Sequence, residues 1–204
     1  MTLLPCCLVQ IRNSNTGIDP CWEFGTGRQA GNGHSGNFGP AVDHATVVSA
    51  WYRKFAQQYG RFEIRCRVPK GKGLWPAFWL LPDPLAWPPE IDVLETLGHE
   101  PNKAYFTHHF RDEQRQRKSG GGSWTGPDFT AGFHEFAVEW SPERIVWFVD
   151  GIERFKSEKS IPNARMYMLV NLAVGGGWPG SPDETTQFPA ALGVDYVRVY
   201  EKAP

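Results

Sequence analysis

The chain has 204 residues, a formal net charge of −1 and 14% aromatic residues. This length is sufficient for one domain with a sizeable core, and the balanced charge excludes the strongly basic surface typical of nucleic-acid-binding proteins. The chain has no run of 18 apolar residues, which excludes a membrane-spanning helix, and its aromatic content excludes disorder over most of its length.

The first 45 residues carry little periodic pattern. Residues 1–11 are apolar but lack a basic start and contain Pro5, so they make a poor secretory signal and are either the remnant of one or a first strand. Residues 12–45 are rich in Gly, Asn, Ser and His. We therefore predict an unassigned segment over 1–45 and one domain over 46–204.

The four cysteines form no C-x-x-C pair, which argues against a zinc knuckle or a thioredoxin-like site. Cys66 shares strand parity with apolar neighbours and is predicted to be buried in the core. Cys6, Cys7 and Cys21 lie close together in sequence, and a disulfide among them remains an open alternative.

From residue 47 onward, short alternating or apolar runs separated by Gly and Pro turns predict β-strands. The predicted strands cover residues 62–68, 74–81, 90–97, 103–110, 133–140, 144–149, 153–155, 166–173 and 194–200. The pair Asp150-Gly151 predicts a hairpin turn. The charged and glycine-rich run over 111–123 is interpreted as a flexible loop. No segment longer than about ten residues shows helical periodicity, so we predict an antiparallel all-β sandwich or jelly roll.

The most informative segment is the predicted strand that contains Glu90, Asp92 and Glu95. Acidic residues are depleted in strands, and strict alternation would place Glu95 in the core with Ile91 and Val93. Burying an unpaired carboxylate there would cost several kcal/mol. A β-bulge between Asp92 and Glu95 removes this conflict, because the extra residue returns Glu95 to the face that carries Glu90 and Asp92.

Three carboxylates on one face predict acid–base chemistry. With the bulge, the glutamates could approach the separation of about 5 to 5.5 Å that retaining glycosidases use. One glutamate would be the nucleophile and the other the general acid, while the aspartate between them adjusts both pKa values. The alternative is a metal-binding or merely solvated acidic edge, which would not require the flanking Ile, Val and Leu.

These residues resemble glycoside hydrolase family 16 in its bulged E-x-D-x-x-E form, which is typical of laminarinase-like, agarase-like and carrageenase-like members. The resemblance covers roughly residues 47–201. It rests on the run E-I-D-V-L-E at 90–95 and on further segments in the same order, at residues 59–65, 68–71, 74–82, 133–140, 147–151, 171–176, 178–180 and 194–200. It implies a jelly-roll β-sandwich of two antiparallel sheets with a concave substrate cleft, and residues 46–204 would be its catalytic domain.

The resemblance implies a role for each carboxylate: Glu90 as nucleophile, Asp92 as assisting carboxylate and Glu95 as acid/base. By this resemblance, catalysis is expected to require no cofactor. It implies a structural calcium ion at Asp195, for which a plain surface aspartate is the alternative. Family members are expected to be secreted or periplasmic, although the chain has no clear signal peptide.

Six residues are predicted to bind sugar. Trp75 and Trp79 share strand parity and can face the same side, while Trp87 and Trp178 occupy positions where the family places cleft aromatics. His109 matches a family histidine beside the acid/base, and Asn171 is expected to hydrogen-bond sugar hydroxyls. Core packing is the alternative for the tryptophans, and a structural role is the alternative for His109.

The predicted function is a retaining endo-glycosidase acting on β-1,3-glucan or mixed β-1,3/1,4-glucan through a glycosyl-enzyme intermediate. One alternative is a glycanase of the same family acting on an agar-like, carrageenan-like or acidic polysaccharide, in which case the arginines of 111–118 would meet anionic groups. The other is a polysaccharide-binding jelly roll without turnover. The partner is a polysaccharide, with no nucleic acid and no membrane, and the chain is expected to be a monomer.

Overall fold

The structure is a computed structural model. It describes residues 51–201 in full, together with the backbone of three further segments, at residues 2–3, 7–11 and 46–50. The described residues form strands and no helix. Accordingly, they include no helix long and apolar enough to cross a membrane.

Two antiparallel sheets contain the thirteen strands of the described segments. The strands are β1 (Thr2–Leu3), β2 (Cys7–Ile11), β3 (Thr46–Ala50), β4 (Gly60–Arg67), β5 (Leu74–Pro82), β6 (Glu90–Thr96), β7 (Lys103–Arg111), β8 (Arg117–Thr125), β9 (His134–Trp140), β10 (Ile145–Val149), β11 (Ile152–Ser157), β12 (Met166–Val174) and β13 (Ala190–Tyr200). The outer sheet has the order β1-β13-β4-β9-β10-β11, with β2 also paired to β13. The inner sheet has the order β3-β12-β5-β6-β7-β8. The all-β prediction is confirmed.

The core lies between the two sheets and is built from one face of each. Alternation places Phe62, Ile64 and Cys66 of β4 in the core together with Phe78 and Leu80 of β5. Cys66 is fully buried and is a free thiol, as predicted, and burial raises its pKa. The other face of the inner sheet points away from the core and is called the open face below.

The loop interpretation of residues 111–123 is wrong. Residues 117–125 form strand β8, which pairs with β7 along nine positions from Arg111–Arg117 to Lys103–Thr125. The glycine run allows close packing here, because a methyl group added to Gly121 would lie 2.5 Å from the main-chain oxygen of Phe106. One added to Gly122 would lie 2.7 Å from the ring of Phe155. Only the turn at residues 112–116 remains outside the hairpin strands.

The N-terminal expectations are tested in part. Strands β1 and β2 both pair with β13, which favours the interpretation of residues 1–11 as strand. Cys6 and Cys21 lie outside the described residues, as does the side chain of Cys7, so a disulfide among them stays a prediction. The boundary at residue 45 also stays a prediction.

Candidate active site

Strand β6 contains the predicted bulge. On the β5 side, Ala77 pairs with Glu95 and Trp79 pairs with Asp92, although two residues lie between the two acids and only one lies between their partners. The register on β7 shifts at the same place, between Asp92 and Glu95. The bulge places Val93 and Leu94 together in the core and returns Glu95 to the open face.

Each glutamate accepts a hydrogen bond from a tryptophan. The indole N–H of Trp75 donates to Glu95 over 3.1 Å, and that of Trp87 donates to Glu90 over 2.8 Å. Asp92, which lies between the glutamates, is 4% exposed and hydrogen-bonds to Glu90. The three carboxyl groups therefore occupy one face at different degrees of burial and with different partners.

Burial controls the protonation of this group. Burial first, and then the charge of Glu90, raises the pKa of Asp92 well above its usual range. Burial first, and then the charge of Asp92, raises the pKa of Glu95 to about 8, against the opposing effect of the Trp75 hydrogen bond. Glu95 consequently carries a proton at neutral pH, which is the state a general acid requires.

His109 of β7 completes the charged centre. Its Nε2 atom lies 3.5 Å from a Glu90 oxygen and 3.4 Å from an Asp92 oxygen. Within the part of the chain that the structure describes, Glu90, Asp92 and His109 are the one group whose geometry could accept a metal ion, with ligand atoms within 4.8 Å of one another. The sequence analysis expects His109 beside the acid/base Glu95, whereas its ring nitrogen lies next to Glu90 and Asp92.

Trp75 and Trp178 form an aromatic wall on the Glu95 side. Their rings meet edge to face at 5.2 Å, and Tyr105 packs against Trp178 at 4.9 Å. Trp178 remains 41% exposed, so its ring can stack on the apolar face of a sugar. Trp75 and Trp178 therefore both belong to the site.

Trp79 and Asn171 form the neighbouring part of the open face. The indole N–H of Trp79 donates to the side-chain oxygen of Asn171 over 2.7 Å. Asn171 lies on β12 opposite Ala77, the small residue between Trp75 and Trp79. Both predicted residues therefore face the side of the carboxylates, although the side-chain oxygen of Asn171 is already occupied by an indole.

Trp87 stands at the Glu90 end of the site, next to basic residues. It is 42% exposed and its ring lies 5.7 Å from that of His109. The guanidinium of Arg117 lies 4.8 Å from the Trp87 ring centre, and Arg111 donates to the main-chain oxygen of Trp87 over 3.4 Å. The structure therefore brings these arginines to the edge of the candidate site.

The sequence analysis missed one contact that spans the core. Trp147 of β10 is fully buried, and its indole N–H donates over 2.8 Å to the main-chain oxygen of Asp92. A bulge disrupts the regular strand ladder, and here a side chain of the opposite sheet satisfies a carbonyl at the disruption. Strand parity identifies Trp147 as buried, but no sequence signal identifies the carbonyl that it meets.

Asp195 of β13 is paired with a basic residue of the neighbouring strand β4. Its carboxylate accepts a hydrogen bond and a salt bridge from Arg65. Within the described segments, Asp195 also belongs to no cluster of three residues able to hold a metal. The structural calcium ion at Asp195 stays a prediction.

Comparison with known proteins decides the family. The family model of glycosyl hydrolases family 16 matches residues 27–198. The chain belongs to this family. The match begins inside the segment 1–45 that the sequence analysis leaves unassigned.

Named relatives of this family are similar over most of the chain. The endo-1,3-1,4-beta-glycanase EglC of Rhizobium meliloti (strain 1021) is 40% identical over 159 residues, which are 78% of this chain and 34% of that protein. The beta-glucanase of Rhodothermus marinus is 41% identical over 171 residues, covering 72% of this chain and 59% of that protein. The chain thus spans between 34% and 59% of the length of these two relatives.

The solved structures agree with the fold. The catalytic domain of an endo-1,3-beta-glucanase (laminarinase) from Thermotoga petrophila RKU-1 superposes with a TM-score of 0.68 at 37% identity, covering 78% of this chain and 69% of that chain. This similarity confirms the predicted jelly-roll sandwich of two antiparallel sheets.

Proposed function

We propose that the chain is a retaining endo-glycosidase that hydrolyses β-1,3-glucan or mixed β-1,3/1,4-glucan. The observation that carries this proposal is the bulged strand β6, with Glu90, Asp92 and Glu95 on one face and a raised pKa of about 8 for Glu95. The names of the relatives, which include a beta-glucanase and a laminarinase, support the choice of glucan.

The two glutamates have different roles in the first half-reaction. The carboxylate of Glu90 attacks the anomeric carbon, while Glu95 gives its proton to the leaving glycosidic oxygen. The anomeric C–O bond breaks as the ester bond to Glu90 forms. Asp92 supports Glu90 through their hydrogen bond, and Trp87 fixes the other side of that carboxylate.

The second half-reaction reverses the role of Glu95. Having lost its proton, Glu95 accepts one from a water molecule, which attacks the anomeric carbon and releases the sugar from Glu90. Glu95 thereby regains the proton for the next cycle. The two displacements together give net retention, and neither requires a cofactor.

The test is product analysis with a substrate panel. The purified chain should release reducing ends from laminarin or lichenan but not from agarose or carrageenan, and NMR should detect the β-anomer as the first product. Glu90→Gln and Glu95→Gln should each lower kcat by about a thousandfold or more. Glu184→Gln, at an exposed position, serves as the matched control.

The alternatives give different results in the same test. A folded chain that releases nothing, yet is retarded by laminarin in a native gel, would be a binding protein. Release from agarose or carrageenan alone would replace glucan by a galactan substrate. An α-anomer as first product would contradict the assignment of Glu90 as nucleophile.

We also propose that the chain acts as a monomer outside the cytoplasm, as the family resemblance implies. Size-exclusion chromatography with light scattering tests the first statement, and a mass near 23.0 kDa would support it. Fractionation of the producing cells tests the second.

A further inference from the structure

Two arginines lie directly opposite each other at the Glu90 end of the open face. Arg111 of β7 and Arg117 of β8 are partners in the antiparallel register, and partners in such a register point to the same face. His109, two residues before Arg111, faces the catalytic carboxylates, so Arg111 and Arg117 also belong to the open face. Like charges in directly opposed positions destabilise a strand pair.

No carboxylate of the described chain neutralises this pair through an ion pair. Arg111 donates to two main-chain oxygens, those of Arg115 over 3.1 Å and of Trp87 over 3.4 Å. The guanidinium of Arg117 rests on the ring of Trp87. Both cations therefore lie at the surface beside Trp87, Arg117 on its ring and Arg111 on its main chain, with donors available to a ligand.

The acids of the connecting turn do not compensate for the two arginines. Asp112 lies 3.7 Å from Lys118 and accepts a hydrogen bond from the main-chain N–H of Gln116. Glu113 is exposed and forms no ion pair with either arginine. Residues 111–118 include four basic and two acidic side chains, so this edge of the open face has an excess of positive charge.

Trp87 connects the arginine pair to the catalytic centre. Its ring contacts Arg117, its main-chain oxygen contacts Arg111, and its indole N–H donates to Glu90. A sugar that occupies the Glu90 side and extends across Trp87 would therefore bring its substituents to the two guanidinium groups.

We propose that Arg111 and Arg117 form a binding site for an anionic substituent, a carboxylate or a sulfate, on the glucan chain. The inference rests on the proposed hydrolysis of glucan and narrows its substrate class. Planar guanidinium groups bind such oxyanions through paired N–H donors. An anion between the two arginines would also replace their mutual repulsion by two attractions.

The first test compares substrates that share one backbone. Laminarin, carboxymethylated laminarin and sulfated laminarin of equal length are hydrolysed at low salt, and the readout is the ratio of kcat/KM on each anionic glucan to that on laminarin. Arg111→Gln and Arg117→Gln should each lower the ratio by about two- to fivefold. The double variant should lower it further, and salt should lower the wild-type ratio by screening.

Arg144→Gln is the matched control, because Arg144 is an exposed arginine immediately before β10 of the outer sheet. Its ratio should equal that of the wild type. A decrease confined to carboxymethylated or to sulfated laminarin would identify which oxyanion the pair selects. If Arg111→Gln and Arg117→Gln leave the ratio of kcat/KM on anionic glucan to that on laminarin unchanged, the inference is overturned. Hydrolysis of laminarin would still support the proposed function.

A binding experiment separates the two proposals. In the Glu95→Gln background, affinity electrophoresis measures retention by laminarin and by carboxymethylated laminarin without turnover. Stronger retention by the anionic glucan that is lost with Arg117→Gln supports the site, even if the wild-type chain hydrolyses nothing. Equal retention before and after the substitution overturns it.

Discussion

Glu95 is the carboxyl group whose protonation limits the proposed reaction. Burial raises its pKa to about 8, and the hydrogen bond from Trp75 acts in the opposite direction. The proton must be present when the substrate arrives. Activity should therefore decline once the pH exceeds this pKa.

We predict that kcat/KM on laminarin falls above about pH 8, the value to which the Glu95 pKa is raised. Trp75→Phe removes the N–H that stabilises the Glu95 carboxylate, so the pKa rises further and the basic limb moves to higher pH. Trp178→Phe is the control, since Trp178 contacts the Trp75 ring and its indole N–H makes no described bond to Glu95. A basic limb that stays in place in Trp75→Phe would contradict the assignment of this limb to Glu95.

His108 provides a second prediction at the scale of one side chain. It belongs to β7 and is fully buried, its Nε2 atom lies 3.2 Å from the hydroxyl oxygen of Ser157, and its Nδ1 atom has no partner among the described residues. Burial lowers its pKa from the usual 6.5 to about 4. In the unfolded chain His108 therefore takes up a proton near pH 6.5, whereas in the folded chain it does so only near pH 4.

Acid should accordingly weaken the fold through His108. Between about pH 6.5 and pH 4, this residue should remove about 2–3 kcal/mol of unfolding free energy. His108→Leu should flatten that part of the profile, whereas His99→Ala, at an exposed position, should leave it unchanged. Urea denaturation at a series of pH values measures the slope, and parallel slopes for wild type and His108→Leu would refute the prediction.

At the scale of elements, the bulge of β6 is held from the opposite sheet. The indole N–H of Trp147 in β10 reaches the main-chain oxygen of Asp92 at the irregular position. Because Glu95 follows three residues later, a change in the bulge would displace the acid relative to Glu90. Trp147 is thus expected to position the carboxylates without touching the substrate.

Trp147→Phe removes this donor and should lower kcat about ten- to a hundredfold, because small misplacements of reacting groups are costly. KM should change much less. Trp140→Phe is a close control: Trp140 is also buried in the outer sheet, and its indole N–H donates over 2.9 Å to the main-chain oxygen of Pro162. Both variants should lose stability, by about 1–3 kcal/mol for the orphaned carbonyl.

Only Trp147→Phe should also change the pH profile of kcat/KM. Equal kinetic losses in Trp147→Phe and Trp140→Phe would show that the effect is one of general stability. The two variants therefore separate positioning of β6 from plain packing.

Strand β8 depends on glycine for its close approach to neighbouring groups. Gly121→Ala would place a methyl group 2.5 Å from the main-chain oxygen of Phe106, and main chain cannot swing aside. We expect a loss of about 1–3 kcal/mol in unfolding free energy. Gly132→Ala, with nothing within 4 Å of the added methyl, should stay within about 0.5 kcal/mol of the wild type. Denaturant titration measures both, and equal stabilities would disprove the steric argument.

At the scale of the whole molecule, substrate binding should stabilise the folded chain. In the inactive Glu90→Gln variant, a laminarin oligosaccharide at about ten times its Kd should add about 1.4 kcal/mol and raise Tm by a few degrees. A maltose-series oligosaccharide of the same length should leave Tm unchanged. Equal shifts for both sugars would show that the open face does not distinguish β-linked from α-linked glucan.

Much of this architecture could be predicted from alternation and turn residues. The bulge was predictable because Glu95 has the wrong parity for a charged side chain in an otherwise apolar strand. Strand β8 was not predictable, since three consecutive glycines carry no side-chain pattern. Glycine is required there because Phe106 and Phe155, which are distant in sequence, approach the strand closely. The hydrogen bond from Trp147 to the main chain of Asp92 and the contact of Arg117 with Trp87 could not be predicted either, because both depend on which strands become neighbours.

Strand β13 has a consequence for how the chain is made. It follows every other described strand in sequence, yet it lies inside the outer sheet, between β4 on one side and the N-terminal strands β1 and β2 on the other. During synthesis the ribosome releases β4 long before its sheet partner β13 exists. Core residues Val197 and Val199 are made after those of the other described strands, so until then this edge of β4 is an unpaired apolar edge. The outer sheet can therefore close only after residues 190–200 have been made, when strands far apart in the described sequence pair side by side.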